Sequence, residues 1–108
     1  MKINVLGTEY TIDFITEKDE TMKVMDCVGY TDFSVKKIKV LKDKYDATKC
    51  EDLTASENTT LRHELIHAFL YECGIDSGMQ FHDEVCVDFF ALQIPKIMNI
   101  FKKAGCNE

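Results

Sequence analysis

Apolar residues alternate with polar ones at Ile3 and Val5 and again at Tyr10, Ile12 and Phe14, on either side of Gly7-Thr8. That period of two predicts a hairpin with one buried face. Cys27-Val28-Gly29-Tyr30 and Lys37-Ile38-Lys39-Val40-Leu41 are short β-favouring runs separated by Thr31-Asp32-Phe33-Ser34, which predicts a second antiparallel pair. Residues 16–23 are charged and read as a loop or as one to two helical turns started by Thr16, with Met22 and Met25 adding apolar content. The lysines that alternate along 37–41 suit an edge strand, where they discourage aggregation. An open edge there would also accept an extended peptide as an added strand.

In the second half the period becomes helical. Residues 43–58 are polar and read as a loop, after which a helix is expected from Ser56 or Asn58 to Cys73, with Gly74 as a left-handed stop. Leu61, Leu65, Ile66, Ala68, Phe69, Leu70 and Cys73 give that helix a wide apolar arc, so it is expected to be largely buried. A second helix begins near His82 or Asp83 and carries Val85, Phe89, Leu92 and Ile94 at helical spacing. Pro95 should kink it or start another, and Ile97, Ile100 and Phe101 continue the apolar face until Gly105. The expectation is one α+β domain over 1–108: a small antiparallel sheet of three or four strands packed against two helices.

The first of those helices contains His63-Glu64-Leu65-Ile66-His67. Imidazoles four residues apart lie one turn apart on one face, roughly 6 Å along the axis at about 1.5 Å per residue, so both can bind one metal ion. Glu64 is offset by about 100°, where it addresses a metal-bound water better than the metal and would act as general base. A zinc held by two histidines needs a third protein ligand, and a catalytic site keeps a further position open.

His82, Glu84 and Asp88 are the nearby candidates. Glu84 and Asp88 share a helix face among apolar neighbours, where unpaired carboxylates would be costly. Glu84 is assigned as the third ligand. Asp88 is assigned as the acceptor for the outward nitrogen of a ligand histidine, fixing its tautomer. His82 reads first as a surface residue before the helix, with replacement of Glu84 at zinc or stabilisation of an oxyanion as its alternatives. Tyr30, Tyr45 and Tyr71 are further possible donors, although tyrosines more often serve as packing residues.

Composition narrows the setting. The net charge is −6, and all of it comes from residues 51–108, because lysines and acids balance over 1–50. An acidic half around the motif argues against non-specific nucleic-acid binding. The lysines at 36, 37, 39, 42, 44 and 49 read as a solvated face interrupted by Asp43 and Asp46. Five scattered cysteines without a C-x-x-C pair argue against a disulfide framework and are read as reduced. No apolar run approaches the roughly 20 residues of a membrane span, and the N-terminus lacks the layout of a secretory signal, so a cytoplasmic location is expected.

His63-Glu64-x-x-His67 followed by Glu84-x-x-x-Asp88 resembles the gluzincin arrangement of zinc metallopeptidases, over residues 60–97. The whole chain is similar to small phage- or prophage-type metallopeptidase-like proteins, distantly akin to the ImmA/IrrE peptidases. The resemblance implies a minimal zincin-like fold, a zinc cofactor, a peptide or protein substrate and, for a phage-derived chain, the cytoplasm of a bacterial host. Repressor cleavage is not expected from it, since over these 108 residues no room is expected for an appended DNA-binding or sensor domain. A Sprt-like site with three histidines would fit only if His82 took the place of Glu84. The expected activity is peptide-bond hydrolysis, with zinc on His63, His67 and Glu84 bringing bound water to a pKa of about 7 and Glu64 moving the proton. The alternative is a catalytically silent module of the same scaffold that engages a host or phage protein.

Overall fold

The structure is a computed structural model that describes residues 1–42 and 53–108. Strands β1 (Lys2–Val5) and β2 (Thr8–Ile15) form the expected hairpin, with Val5 opposite Thr8. Leu6 and Gly7 make the two-residue turn with φ of 50° and 94°, the doubly left-handed backbone that matches strand twist. A short helix α1 (Glu20–Met25) follows, capped by Asp19, whose carboxylate accepts from Met22 N. The helical alternative for this stretch therefore holds, with its start moved from Thr16 to Asp19.

Strands β3 (Gly29–Asp32) and β4 (Lys37–Leu41) pair antiparallel as expected, but β3 takes in Thr31 and Asp32 from the expected connection and leaves out Cys27 and Val28; the sheet order is β1-β2-β4-β3. Two corrections follow. The sheet is mixed rather than antiparallel, because β4 runs parallel to β2. Strand β4 is also interior, not an edge; among the described residues the outer strands are β1 and β3. The alternating lysines mark a solvated face of the sheet, which a central strand has as much as an outer one. Lys37 pairs with Asp13 and Lys39 with Asp19, while Lys42 lies over the Phe14 ring. Lys36 pairs with Glu72, so these four lysines serve the fold; Lys44 and Lys49, with Asp43 and Asp46, lie outside the described residues.

The other sheet face is the core, where Val5, Tyr10, Ile12, Ile38 and Val40 meet Ala68, Leu61 and Leu65 of helix α2 (Leu53–Glu72). The helix starts earlier than Ser56, and its lack of an apolar pattern before Leu61 reflects exposure of that first stretch. It ends as expected: Gly74 N donates to Tyr71 O and Ile75 N to Leu70 O, with Gly74 at φ 84°. Glu72 ties this end to the sheet by accepting from Thr8 Oγ1, Tyr10 Oη and Lys36 Nζ.

Helix α3 (Glu84–Ala104) starts at the N-cap Asp83, which accepts from Cys86 N, and ends at Gly105. It is one helix through Pro95. Proline has no N–H for the carbonyl four residues back. That carbonyl, Ala91 O, accepts instead from Arg62 Nε of α2 at 2.8 Å. The ring that interrupts one ladder thereby supplies a bond between helices.

Candidate metal centre

Helix α2 crosses the sheet so that Glu64 meets β3. Gly29 faces it at such close range that a Cβ there would lie 2.7 Å from Thr60 Cγ2 and 3.4 Å from Glu64 Cγ. Two residues on, and on the same face, Thr31 Oγ1 donates to Glu64 Oε1 at 3.0 Å. Glu64 is 5% exposed, and burial pushes its carboxyl up to about 7 against the lowering influence of His63 and of the Thr31 hydrogen bond. Its Oε2 lies 4.0 Å from His63 Nε2.

The three groups assigned as ligands come together. His63 Nε2 and His67 Nε2 are 3.0 Å apart. Glu84 Oε2 is 2.9 Å from the first and Oε1 is 3.1 Å from the second. A tetrahedral zinc with bonds of about 2.0–2.1 Å has ligand atoms about 3.3 Å apart, so a small outward relaxation admits the ion. Asp88 Oδ1 lies 2.6 Å from His63 Nδ1, which donates to it and leaves the lone pair on Nε2 facing the cluster. Two imidazole nitrogens and a carboxylate gathered on one point are a donor set that suits a divalent cation. Burial also holds His67 below its usual pKa, keeping the ring in the neutral form that binds metal.

The side chains of Glu84 and Asp88 are 73% and 66% exposed, so the burial cost anticipated for them does not arise; the cluster opens to solvent across the first turns of α3. His82 is not a surface residue. It is 1% exposed and sits behind His67, with Nε2 at 2.8 Å from His67 Nδ1 and Nδ1 at 2.6 Å from Ile75 O. Both ring nitrogens are engaged away from the ligand cluster, which leaves neither for the ion or an oxyanion. Tyr30 donates to Asp19, Tyr71 stacks on Phe33 at 4.3 Å between centroids, and Tyr45 lies outside the described residues.

Thr31 and Gly29 escaped the sequence reading because no motif marks them. Thr31 falls in the connection expected between strands, and its place two residues from Gly29 acquires meaning only once β3 is known to run through it and face Glu64. No protein-family model matches the chain, and no curated protein or solved structure is significantly similar to it.

Proposed function

We propose that the protein is a zinc-dependent peptide hydrolase in which His63, His67 and Glu84 hold the ion and Glu64 is the general base. The observation that carries the reading is the convergence of two imidazoles and a carboxylate, their nearest atoms within 4.8 Å of one another, beside a buried carboxyl that is not one of them. Zinc, when bound, supplies Lewis acidity to a water and to the scissile carbonyl. Glu64 takes the water proton on Oε2 and returns it to the leaving amine. Thr31 keeps Oε1 occupied, so the free oxygen is the one nearer the histidines. A carboxyl whose pKa is about 7 is well matched to both halves of that exchange near neutral pH.

Substrate binding moves from β4, where the lysine pattern suggested it, to β3. Leu41 N donates to Val28 O, which with the β3/β4 register makes Tyr30 and Asp32 the residues bonded to β4. The backbone groups of Gly29 and Thr31 then point away from β4, to the side of β3 that no described strand pairs with, where an extended peptide can add as a strand. This is the minimal gluzincin-like plan that the motif resembles.

A second reading, a silent module that engages a protein partner, is favoured by a separate apolar groove of about 780 Å³ between β1, α2 and α3, lined in part by Ile3, Leu6, Phe69, Phe81 and Phe90. No helix among the described residues is long and apolar enough to cross a membrane, so the α3 apolar face is not a span. Zinc content of the purified chain together with digestion of a peptide library separates the readings. About one zinc per chain with cleavage supports the hydrolase, zinc without cleavage of any sequence supports the module, and no zinc under metal-replete conditions overturns the first.

A further inference from the structure

Both ligand histidines must present a bare Nε2, yet neutral imidazole in water ordinarily carries its proton on that nitrogen. Each ring therefore needs a group behind it that claims Nδ1–H. For His63 that group is the Asp88 carboxylate. For His67 no carboxylate among the described residues serves, and the ring behind it is His82 at 2.8 Å.

What His82 does is decided by its other side. Ile75 O can only accept, so His82 Nδ1, at 2.6 Å, carries a proton. An imidazole with its proton on Nδ1 offers a lone pair at Nε2, and that nitrogen faces His67 Nδ1. His67 Nδ1–H is the donor that fills it, and His67 Nε2 is left bare. We propose that His82 is a positioning residue that sets the tautomer and orientation of His67, relaying the polarity of the Ile75 carbonyl through one imidazole into the next.

The surroundings hold His82 in place for this. Its backbone N donates to Met79 O and its O accepts from Gly78 N, which closes the connector around it. Ile75, the relay's origin, is itself bonded to Leu70 O in the cap of α2. The ring packs edge-on against Phe33 at 6.1 Å between centroids. The next two residues are the cap of α3 and the ligand Glu84, so the same side chain also ties the third ligand's helix to the helix of the first two.

The consequence for metal binding rests on the zinc reading above; the tautomer does not, and the test uses that separation. Long-range proton–nitrogen NMR on the metal-free full chain at mildly alkaline pH should show His67 protonated at Nδ1. In His82→Leu the proton should move to Nε2 or exchange between the two nitrogens, and zinc affinity, measured by chelator competition, should fall about 10- to 100-fold. His82→Gln, whose amide oxygen reaches the place of Nε2, should recover most of that affinity. If His82→Leu does not fold, the wild-type tautomer and His82→Gln decide. An Nε2-protonated His67 in the wild type, or the same tautomer and zinc affinity in His82→Leu, overturns the proposal. A wild-type chain with His67 protonated at Nδ1 that binds no zinc upholds the relay and overturns the metal reading instead.

Discussion

Thr31 Oγ1 lies 3.0 Å from Glu64 Oε1 and 3.2 Å from Glu64 O, so one hydroxyl on the rim strand reaches both the side chain and the backbone of the proposed base. The bond to the carboxylate favours its ionised form and fixes which oxygen faces the histidines. Thr31→Val keeps the shape and removes the donor. A hydrogen bond to a charged group is worth about 1.5–3 kcal/mol, so kcat/KM for a cleaved peptide should fall about 10- to 100-fold while zinc content stays the same.

Glu64→Gln tests the base itself. The amide cannot take a proton, so hydrolysis should fall by at least about 100-fold with the zinc stoichiometry unchanged. Abundant remaining turnover would refute the assignment.

The same residue gives the metal-free protein a signed pH dependence. Its carboxyl is raised from 4.5 to about 7, which means that the folded state prefers the protonated form. Stability from this group is complete below 4.5 and declines as pH rises through about 7, by up to about 3 kcal/mol. His67 acts in the other direction, losing stability as pH falls below its usual 6.5, because its folded value is lowered. Urea unfolding across this range in the presence of chelator should show the Glu64 decline in the wild type and not in Glu64→Gln, which should be the more stable of the two at neutral pH.

Asp88→Ala should weaken zinc binding about 10- to 100-fold by releasing His63 Nδ1. Since the Asp88 side chain is 66% exposed, the unfolding midpoint of the metal-free chain should move little. A large loss of stability without a change in zinc affinity would make its role structural.

Gly29→Ala places a methyl 2.7 Å from Thr60 Cγ2 and should cost about 1–3 kcal/mol by wedging β3 away from α2. Thr60→Ser removes the opposing methyl and keeps the hydroxyl that bonds Ser56 O. The pair should therefore couple favourably in a double-mutant cycle read by urea unfolding.

The hairpin, the end of α2, the start of α3 and the grouping of the candidate ligands were legible because each is written locally: period-two alternation around a glycine, with the turn itself on Leu6-Gly7 instead of Gly7-Thr8, Gly74 as a stop, His63 and His67 one turn apart, Asp83 as a cap before Glu84. What was not legible depends on neighbours distant in the chain. The lysines at 37 and 39 look alike on an edge and on the wet face of a central strand, and only the pairing of β4 with β2 distinguishes them. His82 reads as a polar residue in a polar connector until Ile75 O and His67 are found on either side of it. Glu72 carries no sign that Thr8, Tyr10 and Lys36 will share its carboxylate.

The Arg62 bond to the carbonyl that Pro95 leaves unpaired ties α3 to α2 partway along its length. Glu84 and Asp88 lie upstream of that anchor, within reach of the two imidazoles, and Ile97, Ile100 and Phe101 lie downstream. A helix pinned at that point is held at its middle by its neighbour, so substitutions beyond Ile97 are expected to leave Glu84 and Asp88 where they stand.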